Sequence, residues 1–230
     1  MLQLPKVIGH RGAAAYAPEN TLAGFREASR RGATWVEIDV KLTADGVPIL
    51  MHDPSLKRTT GIDRLVAETK AADLPKEVPT FEAAIDCFRE LGLGCNVEIK
   101  PCEGREVETA RVVVETLRRC WPATLPAPLL SSFEDASLLA AREAAPEMAR
   151  AILIDAPADD WRRRAEGVGA AGVNTNGKKL TAPRAVEIRK AGFVLSVYTI
   201  NDGDVAKALV GMGAQCVISD APDTIVAALD

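Results

Sequence analysis

Histidine occurs twice in this chain, as His10 in Gly9-His10-Arg11-Gly12 and as His52 in Met51-His52-Asp53. An imidazole gives or takes a proton near neutral pH, and acid–base catalysis often uses one group in each role. Charged residues also come at a spacing of two: Glu37 with Asp39, and Glu98 with Lys100. In a strand, residues two apart point to the same face. Two carboxylates on one face resist burial unless something cationic lies between them. Taken singly, each pair also fits a solvated strand face, and Arg11 and Lys100 also fit as salt-bridge partners of nearby acids. Together, three carboxylates suit a hard divalent cation such as Mg²⁺ or Ca²⁺, whereas zinc sites draw on Cys or several His. A cation, Lys100, Arg11 and two imidazoles make an apparatus for phosphoryl transfer. Positive charge stabilises the phosphate, one His takes a proton from the attacking oxygen, and the other protonates the leaving oxygen. The competing chemistry is a serine hydrolase. No G-x-S-x-G elbow occurs, and Ser131 and Ser132 read as strand-end serines.

These residues need a scaffold that brings them together. Eight β-type runs are expected at 6–9, 34–42, 94–99, 128–132, 150–154, 172–175, 193–199 and 215–219. Each is followed by a stretch of helical character. In the stretch 103–120, Val107, Ala110, Val114 and Leu117 mark one apolar helix face. Eight β–α units predict an α/β fold, a (β/α)₈ TIM barrel, with an open doubly wound sheet as runner-up. An extra strand at 48–51 follows the turn signal Asp45-Gly46 and should fold back on the second strand as a hairpin. A small insertion after the second strand, about 53–78, precedes a helix near 80–91. No repeat, linker or low-complexity tract is visible, so one domain over 1–230 is expected. In such barrels the active site lies at the C-terminal strand ends, where His10, Arg11, Glu37, Asp39, Glu98 and Lys100 all fall. The string Gly167-Val-Gly169-Ala-Ala-Gly172 matches G-x-G-x-x-G. Its context is reversed for a dinucleotide site, with a helix before it and a strand after it.

Composition bounds the rest. Hydrophobic residues make up 47% of the chain, enough for a substantial core, while aromatics are 4%, so Ala, Val, Leu and Ile must build it. A net charge of −4 argues against a nucleic-acid partner but permits an anionic small substrate at a local cationic cluster. Five cysteines, with no C-x-x-C pair, predict reduced thiols and a cytoplasmic location. No signal peptide is visible and no apolar run reaches the roughly 20 residues of a membrane span, so no membrane insertion is expected.

The sequence resembles the glycerophosphodiester phosphodiesterase family. The matching stretches are Gly9-His10-Arg11-Gly12, Ala17-Pro18-Glu19-Asn20-Thr21, Val36-Glu37-Ile38-Asp39-Val40 and Val47-Pro48-Ile49-Leu50-Met51-His52-Asp53. Arg58-Thr59-Thr60-Gly61, Val97-Glu98-Ile99-Lys100-Pro101, Val197-Tyr198-Thr199-Ile200-Asn201 and Ser219-Asp220-Ala221-Pro222-Asp223 follow. The resemblance implies a TIM barrel that hydrolyses a small-molecule glycerophosphodiester to glycerol 3-phosphate and an alcohol. It implies that the substrate's own 2-hydroxyl attacks, through a cyclic phosphate, which explains why no protein nucleophile is evident. It also implies His10 and His52 as the acid–base pair, here His10 as acid and His52 as base. Glu37, Asp39 and Glu98 would be metal ligands, and Arg11 and Lys100 would hold phosphate. Tyr198 stands near the substrate, where the family often has Trp. Asn20 is expected to cap the first helix, with Glu19 hydrogen-bonding the site. Two other readings keep the fold: the same chemistry on lysophospholipids or cyclic phosphodiesters, and a non-enzymatic binding barrel.

Overall fold

The computed structural model describes residues 2–230. Strand β1 (Val7–His10) leads through helix α1 (Leu22–Arg30) to β2 (Trp35–Leu42) and the short β3 (Pro48–Leu50). A short helix α2 (Lys57–Thr60) and two 3₁₀ turns follow, then α3 (Phe81–Leu91). From there strands and helices alternate: β4 (Gly94–Ile99), α4 (Glu106–Cys120), β5 (Leu129–Ser132), α5 (Asp135–Ala144), β6 (Ala149–Ile154) and α6 (Trp161–Gly167). The chain closes with β7 (Gly172–Asn176), α7 (Ala182–Lys190), β8 (Val194–Tyr198), α8 (Gly203–Gly211), β9 (Cys216–Ser219) and α9 (Pro222–Leu229).

Eight strands pair in parallel in the order β1-β9-β8-β7-β6-β5-β4-β2, and β1 also pairs with β2, which closes the sheet into a barrel. The expected (β/α)₈ barrel is what forms, and the open-sheet alternative falls. Closure leaves none of the eight parallel strands at an edge, and β3 lies antiparallel on β2 as the expected hairpin, Val40 opposite Leu50. The G-x-G-x-x-G string spans the end of α6 and the start of β7, the reverse of a dinucleotide loop.

Local chemistry fixes the helix starts. Thr21, Thr80 and Asp202 cap α1, α3 and α8 with side-chain oxygens that accept from Gly24, Ala83 and Val205 N–H groups. Proline begins α9 and stands in the first turn of α7. The apolar face of α4 is Ala110, Val113, Val114 and Leu117, a clean i, i+3, i+4, i+7 stripe. Val107, expected on that face, is 41% exposed, because the stripe runs through Val113 instead.

Alternation along the strands divides two cores. Val36, Ile38, Val97 and Leu130 point outward to α1, α3 and α4, while Val173, Leu195 and Val217 meet the later helices. Ile8, Trp35, Leu129, Ala151, Cys216 and Ile218 meet inside the barrel. Each fully buried Ile or Leu among them contributes about 1.5–3 kcal/mol. The same inward parity also carries buried Asn96, Ser131, Asn174 and Ser196. Among the described residues, Asn96 Oδ1, Ser131 Oγ, Ser196 Oγ and both amide atoms of Asn174 have no hydrogen-bond partner. The barrel interior is therefore polar above its apolar plug. All five cysteines are free thiols, four of them buried.

Candidate active site

The site begins where β1 stops. His10 ends the strand, Arg11 takes φ 52° and Gly12 φ 94°, so the chain reverses sharply at the barrel mouth. Gly12 has no room for a side chain, since a Cβ would lie 2.7 Å from the Gly24 backbone. Gly9 is equally confined, its Cβ position lying 2.3 Å from Gly12 O. The Gly9-His10-Arg11-Gly12 sequence is thus a turn that only these glycines permit. It aims two side chains inward. His10 Nδ1 lies 2.6 Å from Asp220 Oδ1 at the end of β9, and its Nε2 lies 3.9 Å from Glu37 Oε2. With Nδ1–H donating to Asp220, Nε2 is the nitrogen left to act.

Strands β2 and β4 supply the carboxylates, with Asp39 in register with Glu98. One oxygen from each of Glu37, Asp39 and Glu98 falls within 4.8 Å of the others, and all three residues are buried. Arg11 donates its backbone N–H to Glu37 and sets Nε 3.1 Å from Asp39 Oδ2. Lys100 Nζ lies 2.7 Å from Glu98 Oε1 and 3.4 Å from Asp39 Oδ1. Burial works against the ionised form of all three acids. At Asp39 it is outweighed by Lys100 and Arg11, which hold the carboxyl at about 2. Burial, with Asp39's charge added, pushes Glu98 up to about 7 and Glu37 well above its ordinary value. Glu37 Oε1 has no hydrogen-bond partner among the described residues. Two buried acids pushed up by burial, beside an oxygen with no hydrogen-bond partner, make a place that a positive charge would complete. Three oxygen donors with no Cys or His among them fit a hard divalent cation.

His52 arrives from the hairpin. Backbone pairing of β3 with β2 continues as Met51 N–H donates to Asp39 O, and the next residue stands at the mouth. His52 Nδ1 lies 2.6 Å from Asp53 Oδ1, so this ring too is held through Nδ1. Burial lowers its pKa, with Lys100 and Arg11 adding to the effect against Asp39 and Asp53. Arg58 of α2 bonds both Asp53 and Glu19, and Glu19 in turn accepts from Arg11 Nη1. This chain of ion pairs ties the insertion to the first turn of the barrel.

His10, Arg11, Glu37, His52, Glu98, Lys100 and Tyr198 line one cavity of about 170 Å³, together with Asn96 and Phe133. Asp39 sits in the carboxylate cluster, 1% exposed. Every site residue expected from the sequence is therefore brought together. Tyr198 donates its hydroxyl to Ile154 O and stands edge-on to Phe133, so its ring rather than its hydroxyl is free for a ligand. Asn20 differs from expectation. Thr21 caps α1, and Asn20, at φ 55°, donates Nδ2 to Asp39 Oδ2 and accepts from Asp39 N–H. A buried carboxylate needs those bonds more than the helix end needs the cap. Losing the amide should destabilise the fold by about 1.5–3 kcal/mol. We expect that loss in Asn20→Gly, which keeps the backbone angle, and a larger one in Asn20→Ala. Denaturant titrations matching wild type would refute the role.

Asp220, Asp53 and Lys41 also belong to the site's surroundings, and sequence reasoning assigns them no role. Lys41 shares parity with Glu37 and Asp39 on β2, is 3% exposed and donates to Lys100 O. Its position in Glu37-x-Asp39-x-Lys41 is the signal that could have found it.

Comparison with known proteins converges on one group. The model of the glycerophosphoryl diester phosphodiesterase family matches residues 10–224. A phosphodiesterase of Oleispira antarctica, solved with the product sn-glycerol-3-phosphate, is 38% identical and superposes with a TM-score of 0.96, covering 99% of this chain and 97% of that one. The glycerophosphodiester phosphodiesterase of Thermotoga maritima is 26% identical with a TM-score of 0.81, each chain covered completely. Human glycerophosphodiester phosphodiesterase 1 matches more locally, 56% identical over 59 residues, which is 25% of this chain and 18% of the human protein.

Proposed function

Because the chain belongs to the glycerophosphoryl diester phosphodiesterase family, we propose that it hydrolyses glycerophosphodiesters to glycerol 3-phosphate and an alcohol by paired histidine catalysis at a divalent cation site. The observation that carries this reading is the single small cavity shared by two carboxylate-held imidazoles, two cations and an acidic cluster. Glu37, Asp39 and Glu98 would hold Mg²⁺ or Ca²⁺. When bound there, the cation supplies positive charge against the phosphate oxygens as charge builds on them.

The chain's own groups do the rest. Lys100 and Arg11 line the cavity and hold the phosphate. His52, kept neutral by burial and nearby cations, takes the proton from the glycerol 2-hydroxyl. That oxygen attacks phosphorus and the bond to the alcohol breaks. His10, flanked by Asp220 and Glu37, gives its proton to the departing oxygen. Water then opens the cyclic phosphate with the two roles reversed.

Residues 1–230 would act as one barrel domain with the insertion docked on its mouth. The substrate is a small anion; a net charge of −4 supports no nucleic-acid partner. No helix of the described residues is long and apolar enough to cross a membrane, and the free thiols suit the cytoplasm as the place of action. A coupled assay for glycerol 3-phosphate, run over several glycerophosphodiesters with Mg²⁺ or Ca²⁺, tests the reading. We expect release from at least one; none from any would refute it.

A further inference from the structure

In an eight-stranded parallel barrel the register slips by about one residue per strand, so inward side chains from alternate strands share a level. The pairing registers then set Glu37 of β2, Ser131 of β5 and Asn174 of β7 on one level with Ile218 of β9. Around that ring Asn174 stands opposite Glu37, with Ser131 between them. His10 and Glu98 belong to the level above. One level beneath, Asn96 of β4 and Ser196 of β8 face each other, and Ile8 and Ala151 complete the ring. The cavity over the carboxylates is lined by Glu37 and Asn96 as well as by His10, so it opens onto both levels. Bulky Val, Ile and Leu ordinarily fill such levels. Here the side chains are short and polar, and they leave atoms unbonded. Glu37 Oε1, Asn96 Oδ1, Ser131 Oγ, Ser196 Oγ and both amide atoms of Asn174 are buried with no hydrogen-bond partner among the described residues. None of these residues is more than 4% exposed.

Left without partners, so many buried polar atoms would cost stability on the scale that keeps a whole domain folded. Their chemistry fixes what completes them. A cation satisfies acceptors only, and an anion donors only. Asn174 Nδ2 is a donor, the amide and carboxylate oxygens are acceptors, and the serine hydroxyls are both. Water serves all of these, and a polar space with several partners for each molecule is where proteins hold it. One of the acceptors is Glu37 Oε1, while the other oxygen of that acid already accepts from Arg11 N–H. A carboxylate oxygen has two lone pairs, so Oε1 can accept a bond from beneath and still face a cation above. We propose that the two levels enclose bound waters that hydrogen-bond Glu37 from beneath and fix the aim of its carboxylate at the cation, with Asn174 as the positioning residue that anchors them. The inference rests on the reading of Glu37 as a cation ligand. Asn174 touches neither substrate nor cation. It acts through water on Glu37, and partners of that kind change metal affinity by about 10- to 100-fold.

The test is the Kd of Mg²⁺ or Ca²⁺, read by calorimetric titration into cation-free protein, so turnover is not needed. Asn174→Leu keeps the shape of the side chain and removes its polar atoms. We expect its Kd to rise by about 10- to 100-fold. Asn174→Ser keeps a hydroxyl and makes room for a further water, and its Kd should stay within about threefold of wild type. Thr175→Val is the control. Thr175 Oγ1 is also buried and unpartnered, but it stands on the outward face of β7, so Kd should hold within about twofold. Circular dichroism melts without cation certify the folding of each variant. Equal weakening by Thr175→Val overturns the proposal, because any disturbance of β7 would then do the same. A high-resolution crystal structure of the wild type needs no variant. We expect waters within about 3.2 Å of the Asn174 amide that link it to Glu37. Side chains of the two levels bonded directly to one another overturn the proposal even if Asn174→Leu fails to fold. If wild type binds neither ion, the reading of the site falls, and this proposal with it. If wild type binds and Asn174→Leu binds equally well, only this proposal falls.

Discussion

His10→Ala and His52→Ala should each lose on the order of 10²–10⁴ in kcat while remaining folded. Folding survives because neither imidazole is a core group and neither partner is stranded. Asp220 keeps Asn201 as a donor, and Asp53 keeps Arg58. The two variants should separate when the leaving group changes. A nitrophenyl ester of glycerol phosphate departs without needing a proton. With that substrate His10→Ala should recover most of its lost rate of nitrophenolate release in the first turnover, and His52→Ala should stay slow because the 2-hydroxyl still lacks its base. Circular dichroism melts establish the fold, and single-turnover rates of alcohol release from the two substrates establish the roles. Wild-type turnover in either variant sinks the pair. Recovery in His52→Ala instead reverses acid and base.

Removing the divalent cation should silence the enzyme and change how its stability depends on pH. In cation-free protein Glu98 titrates at about 7 against an ordinary 4.5, through burial and the charge of Asp39. The native state then holds that proton more tightly than the unfolded chain. The resulting stability is fully present below about 4.5 and is lost as pH rises through about 7, by up to roughly 3 kcal/mol. Glu37, raised for the same reasons, acts in the same direction. Asp39, held at about 2, acts in the opposite one, with stability present above its ordinary 3.8 and lost as the pH falls towards 2. The cluster's contribution therefore peaks at mildly acidic pH without a cation. Mg²⁺ or Ca²⁺ binds the ionised carboxylates, so it should raise Tm more at neutral than at mildly acidic pH. Melts in EDTA and in excess cation at the two pH values test this, with turnover measured on the same samples. Full activity in metal-free buffer would remove the cation from the account, and equal Tm shifts at both pH values would uncouple it from the raised carboxylates.

The carboxylate cluster was legible because a strand has a period of two, so Glu37 with Asp39 and Glu98 with Lys100 announce a shared face by their spacing alone. The eight-fold alternation announced the barrel, and the barrel announced which strand ends matter. What stayed hidden depends on contacts between distant segments. Asn20 reads locally as a helix cap, and only the approach of β2 turns its amide to Asp39. Asp220 is 210 residues from His10, and no local pattern links them. The polar interior was hidden for a different reason. Asn96, Ser131, Asn174 and Ser196 each interrupt a mostly apolar run, and only the shared inward parity of their strands groups them.

The pairing of β1 with β9 should make the candidate active site a late product of folding. His10, Glu37 and His52 all lie in the first quarter of the chain, yet the partner that orients His10 is in the last eleven residues. Until β9 docks, the sheet is an open ribbon with two unpaired edges, a state prone to association. Joining the ends of the chain is also the least local contact it can make, and such contacts are slow to form. During refolding, helical structure should precede turnover, and the first cleaved substrate should mark the moment the barrel shuts.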